Sequence, residues 1–204
     1  MPFPALLDTN VLIPIRLADL LLRLAEAGTY RPLWSEDILT EVERNLIGKF
    51  GLDPAKAKRR VAMMREVFPD AMVTGYEPLI PVMTNDPKDR HVLAAAVRAN
   101  AAVIITFNRK DFPAAALDPY EIDAVNPDNF LLDQFELYQR PIITCLQEQL
   151  AALQRPQETV AQFFGRFHRT VPRFAARAET TFTGRGAPAL SFSAVPKQND
   201  TGAD

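Results

Sequence analysis

"PALLDTNVLI", residues 4–13, is an apolar run broken by a single acid. Residues 3–8 read as a short strand, because the apolar side chains are continuous and too few for a helix. That strand ends on Asp8 and the apolar run then resumes. An aspartate at a strand end either folds a turn onto its own backbone or faces a ligand. The surrounding segments decide what the strand belongs to.

Outward from Asp8, helix and strand patterns alternate. Leu20, Leu21, Leu24 and Ala27 recur at helical spacing in 18–27, and Gly28 is a plausible stop. "YRPLW", 30–34, reads as a second strand. Ser35 then caps the helix "EDILTEVERNLIG", with Glu36 and Asp37 in the first turn, where the dipole favours acids. Asp53-Pro54 is a cap followed by proline at the first helical position. Ala57, Val61, Met64 and Phe68 form the apolar stripe of the helix that follows. Residues 71–73 read as a short strand. Asp86-Pro87 repeats the cap–proline device before "KDRHVLAAAVRAN", and "AVIIT", 102–106, reads as a fully buried strand. A turn, "FNRKDFP", a short helical piece and a last strand at 121–125 complete the alternation. The pattern predicts an α/β fold with a mostly parallel central sheet. Right-handed crossovers then bring the strand ends after Asp8 and Thr106 to one edge.

From Asn129 onward the pattern is helical, through "FLLDQFELY", "PIITCLQEQLAAL" and "ETVAQFFGRFHRTV", with Pro172 read as kinking or ending the last. Residues 183–204 hold Gly184, Gly186, Pro188, Pro196 and Gly202 without periodicity and are expected to be a flexible tail. The expected division is a domain at 1–128, a helical extension at 129–182 packed on it or on a partner, and the tail.

The 204 residues are 48% hydrophobic with a net charge of −2, so a sizeable core is expected and global disorder is not. Cys145 is the single cysteine, which excludes intramolecular disulfides and thiolate-rich metal sites. No basic start precedes a long apolar stretch, so neither signal peptide nor membrane span is expected, and a cytoplasmic setting is.

Four carboxylates are candidates. Asp8 ends a strand, where open parallel sheets bind ligands. Glu41 lies about 60° from Ile38 and about 40° from Asn45 on its helix, at the border of the apolar stripe, whereas Glu43 points outward. Asp89 lies about 60° from Val92 and about 40° from Leu93, leaning toward the buried side. Asp111 follows the late strand in a polar turn. Each has a plain structural reading as cap, turn or rim residue. Asp86 is read as a cap, and His91, about 200° from Asp89, is set aside with His168. Convergence changes the reading. The acids come from separate segments that the topology brings to one cleft. Gathered there, they raise one another's pKa and need a compensating cation. Oxygen ligands without cysteine or paired histidine favour magnesium or manganese.

This arrangement resembles the PIN-domain ribonuclease family, including the VapC-type toxins of bacterial toxin–antitoxin pairs. The pieces that carry the resemblance are "LLDTNVLI" around Asp8, "SEDILTEV" with Glu41, "DPKDRHVLAAAV" with Asp89, and "VIITFNRKDF", across residues 3–126. The resemblance implies an α/β/α sandwich and Mg²⁺- or Mn²⁺-dependent endoribonuclease activity. It also implies an RNA substrate, a small cognate antitoxin and, in many members, a homodimer. Asp8, Glu41, Asp89 and Asp111 are then the implied catalytic and metal-binding residues, with Thr9, Asn10 and Thr106 orienting them. One departure stands out. The family often has an aspartate two residues after the strand-ending threonine, and here that place holds Asn108, an uncharged and weaker metal ligand.

An acidic cleft repels RNA, so basic flanks are required. Lys56, Lys58, Arg59, Arg60 and Arg65 are one candidate flank, although such a run is most often a solvated helix face. The stretch 155–187 is another, with six arginines against two glutamates. Its Phe163, Phe164, Phe167 and Phe174 favour burial over base stacking, because the first three, with Val171, keep helical spacing. Two other functions compete. A PIN-like scaffold without catalysis fits the neutral Asn108. A haloacid-dehalogenase-type phosphatase requires an acid two residues after the nucleophile, where this chain has Asn10.

Overall fold

The computed structural model describes residues 2–153 and 157–184. Strand β1, Pro4–Leu7, is buried at Ala5, Leu6 and Leu7 and stops one residue before Asp8. A single turn, α1 at Thr9–Leu12, takes Asp8 as its cap residue and leads into α2, Ile15–Glu26. Helix α2 begins earlier than its apolar spacing suggests, because Pro14 sits at its cap, where a missing N–H costs nothing. Gly28, at φ +75°, supplies the left-handed turn into β2, Arg31–Ser35.

The capping signals are honoured. Ser35 Oγ accepts from the Ile38 N–H at 3.3 Å to open α3, Glu36–Gly48. Asp53 Oδ1 accepts from the Ala55 and Lys56 N–H groups to open α4, Pro54–Val67. Each such cap contributes about 1 kcal/mol. Strand β3 is short, Met72–Val73. Asp86-Pro87 opens a 3-10 turn, Pro87–Asp89, and α5 begins only at Arg90, running to Arg98. Then come β4, Val103–Ile105, a 3-10 turn at Arg109–Asp111, α6 at Ala114–Leu117 and β5, Asp123–Val125.

The strands pair in parallel in the order β3-β2-β1-β4-β5. From β1 the chain winds outward through β2 to β3, then returns to β4 and continues to β5. The winding direction reverses between β1 and β4. Right-handed crossovers place the helices of the two halves on opposite faces. The crevice where open α/β sheets bind ligands therefore lies beyond the ends of β1 and β4. Asp8 and Thr106 are the residues that follow those ends.

The C-terminal helices pack on this body. Helix α7, Pro127–Ala151, is kinked at Tyr138 (φ −131°, ψ 44°), because the Pro141 ring clashes with the carbonyl four residues back. Phe130 of α7 stacks edge-on against Tyr30 at 5.2 Å, and Gln149 Nε2 donates to the Arg16 carbonyl. Helix α8 is Val160–Phe167 and α9 is Pro172–Gly184. Pro172 thus starts a helix instead of ending one, because its N–H is dispensable there. Asp128, from α7, accepts from the backbone N–H groups of Arg173 and Phe174 and caps α9 from outside. Phe163, Phe164, Phe167 and Phe174 are fully buried, so they form core rather than a stacking platform. Residues 183 and 184, expected in the tail, close α9; positions 185–204 lie outside the described residues.

Candidate active site at the strand ends

Asp8 is buried, and its carboxylate is held from across the reversal point. Thr106 Oγ1 donates to Asp8 Oδ2 at 2.7 Å, and Asn10 Nδ2 donates to the same oxygen. Asn10 Nδ2 also reaches Thr106 Oγ1 at 2.9 Å, while Asn10 Oδ1 accepts from the Phe107 N–H at 3.0 Å. Asn10 therefore laces the turn after β1 to the turn after β4. Burial pushes the Asp8 pKa up, the bonds from Thr106 and the Thr9 N–H pull it down, and the Glu41 charge adds to the rise.

Glu41 projects from α3 toward α1. Its Oε2 accepts from the Thr9 hydroxyl at 2.8 Å, and Oε1 faces Arg44 at 3.4 Å. The Thr9 side chain thus positions Glu41, and only its backbone N–H acts on Asp8. Asp89 is the last residue of its 3-10 turn, and its Oδ2 is buried without a hydrogen-bond partner. Burial first, then the charge of Asp8, lifts its pKa to about 7, with Lys88 opposing and Asp111 and Asp86 adding. Asp111 is 5% exposed, and its Oδ2 also lacks a hydrogen bond. A polar turn hides this burial from the sequence. It arises because the Asp86 N–H donates to the Asp111 carbonyl and folds the two loops together. Asn108 is exposed, and only its backbone N–H is tied in, to Thr106 Oγ1 at 3.0 Å.

The charges of Asp8, Glu41, Asp89 and Asp111 are therefore felt in sequence around one edge. They do not stand as a closed ligand set: among the described residues, no group of three or more His, Cys, Asp or Glu side chains is arranged to hold an ion. Each acid is drawn to its own neighbours, Asp8 to Thr106, Glu41 to Thr9 and Asp111 to Lys88. The donor chemistry nonetheless suits a hard divalent cation. The buried, unpartnered Oδ2 atoms of Asp89 and Asp111 need a positive neighbour, and no thiolate is present among them.

Two residues escape the sequence reading. His91 acts electrostatically on Asp8, and its Nε2 is buried without a partner. The helical wheel from Asp89 misplaces it, because Asp89 (φ −109°, ψ 9°) is not part of α5. Asn85 is buried with both side-chain polar atoms unpartnered, and no sequence signal marks it.

The expected basic flanks are thinner than the residue count suggests. Arg60 donates to the Leu12 and Ile13 carbonyls at the end of α1, and Arg65 pairs with Glu36. Lys56, Lys58 and Arg59 stay exposed beside a groove between α2 and α4 with apolar Ile15, Leu22, Met63 and Val67 in its lining. In the C-terminal stretch, Arg166 pairs with Glu158 and Arg177 with Glu136. Arg155 and Arg185 lie outside the described residues.

The PIN domain family model matches residues 4–110, which holds Asp8, Glu41, Asp89 and Thr106. The chain belongs to the PIN-domain family. A second model, for the VapC50 C-terminal domain, matches residues 127–180 of this PIN-domain protein. The chain is 45% identical over 118 residues to the Mycobacterium tuberculosis protein named "Putative ribonuclease VapC50", across 58% of this chain and 69% of that one. No solved structure matches the chain. Among the described residues, no helix is long and apolar enough to cross a membrane.

Proposed function

We propose that this PIN-domain protein is a divalent-metal-dependent endoribonuclease, the toxin of a toxin–antitoxin pair. The observation that carries the reading is the Asp8–Asn10–Thr106 lattice at the reversal of the sheet, with the unpartnered carboxylate oxygens of Asp89 and Asp111 beside it. The similarity to a protein named as a ribonuclease supports it.

Asp8, Glu41, Asp89 and Asp111 would hold Mg²⁺ or Mn²⁺, with Asn108 a weaker oxygen donor. When bound, such an ion lowers the pKa of a water and stabilises charge on a phosphodiester under attack. The chain's own residues do the rest. Thr106 and Asn10 hold the Asp8 carboxylate in one orientation, and Thr9 holds Glu41. Asp89, with a pKa near 7, exchanges a proton in the working pH range. The partners this reading calls for are an RNA and a small cognate antitoxin, met in the cytoplasm. Residues 1–128 form the nuclease unit, and 129–182 brace it through α2.

A catalytically silent RNA- or protein-binding scaffold is the second reading, favoured by the exposed, uncharged Asn108. One assay separates them: cleavage of a broad RNA panel with and without Mn²⁺ by the wild type and by Asp8→Asn. Metal-dependent cutting lost in Asp8→Asn is the expected result. No cutting by either protein would favour the scaffold, and equal cutting by both would remove Asp8 from the mechanism.

A further inference from the structure

Lys88 stands between two of the acids. Its Nζ lies 3.3 Å from Asp111 Oδ2 and 3.9 Å from Asp89 Oδ2. The backbone sets this position. The Asp86 N–H donates to the Asp111 carbonyl at 3.2 Å, which joins the two loops. Asp86 Oδ1 accepts from the Lys88 N–H at 3.1 Å, and Pro87 between them has its φ locked by its ring. The ammonium thus lies over a carboxylate that is 6% exposed and whose Oδ2 makes no hydrogen bond. Asn108, at the head of the same turn, contributes no charge.

We infer that Lys88 is a built-in cation filling one of two cation positions at the strand ends, so that the chain takes up a single divalent ion. The inference rests on the metal-dependent reading above. An ammonium in contact with Asp111 Oδ2 and a divalent ion there require the same lone pairs, so one excludes the other. A lysine ammonium is a compact point charge that can occupy such a position, which a planar guanidinium fills less well. The ion that does bind is held from the Asp8 and Glu41 side, with Asp89 shared.

The test is Mn²⁺ titrated into the full chain, with bound ions counted by calorimetry and by loss of the free-ion electron paramagnetic resonance signal. The wild type binds one ion. Lys88→Met and Lys88→Gln, each shown to be folded by its melting curve, bind two, the second at least tenfold more weakly than the first. A wild type that binds two ions, or neutral variants that still bind one, would overturn the role of Lys88 and leave the metal-dependent reading standing. A wild type that binds no Mn²⁺ would overturn both.

Discussion

The Thr106 hydroxyl, one residue past β4, donates to Asp8 Oδ2, one residue past β1, at 2.7 Å. This bond opposes the rise that burial imposes on the Asp8 pKa. Thr106→Val keeps the shape and deletes the donor. It is expected to cost about 1 kcal/mol of stability, the usual net worth of such a bond. It also raises the Asp8 pKa further, so Mn²⁺ binding weakens at pH 6.5 and recovers at pH 8.5. Calorimetry at both pH values measures this, and an unchanged affinity would show that Asp8 does not hold the ion.

Thr9 does for Glu41 what Thr106 does for Asp8, through a bond of 2.8 Å. Thr9→Val frees the Glu41 carboxylate to sample its own rotamers. RNA cleavage is expected to fall by roughly tenfold, one such bond's worth of positioning. Thr9→Ser restores most of the rate. A valine variant as active as the wild type would remove Glu41 from the site.

Asp89 has a folded-state pKa of about 7, above its ordinary 3.8. Between those values the folded chain holds a proton that the unfolded chain has released. Folding stability contributed at Asp89 is therefore greatest below about pH 4 and is lost as pH rises through 7. In a chelating buffer, Asp89→Asn is expected to gain melting temperature relative to the wild type as pH goes from 5 to 7.5. Parallel melting curves across that range would contradict the assignment.

Asp128 caps α9 from α7, accepting from two backbone N–H groups at 3.2 and 2.8 Å. Asp128→Ala removes an anion from a helix N-terminus and leaves buried donors unpaired. The expected loss is about 1–2 kcal/mol in denaturant titration, with Mn²⁺ affinity unchanged because the cap is remote from the strand ends.

Phe167 is fully buried, with ring centroids 5.3 Å from Phe163 and 6.4 Å from Phe174. Phe167→Ala is expected to cost about 3–5 kcal/mol. Limited proteolysis should then cut first within α8 and α9. Unchanged protease resistance would mean these helices are held by other contacts.

The element order was legible in the sequence because its signals are local. Apolar runs, the Ser35 and Asp53 caps and Gly28 act on residues within a turn of themselves, so α3 and α4 begin where their caps place them. The start of α5 was legible only in part: Asp86-Pro87 marks a beginning, but its 3-10 turn delays the helix to Arg90 and rotates His91 to the Asp8 side. Pro172 was misread because proline opens a helix as readily as it ends one, and a cap from Asp128 on another helix decides which.

By itself, the sequence determined that an acid follows each of two strands of a parallel sheet, and that phenylalanines rather than bases fill the C-terminal stripe. Only the tertiary structure decided which neighbour each acid has. Thr9 serves Glu41, Thr106 serves Asp8, Asp111 is buried, and Lys88 lies against it. The reason is physical. Caps and periodicity are properties of adjacent residues, whereas burial and charge pairing arise when loops far apart in the chain are pressed together by the reversal of the sheet.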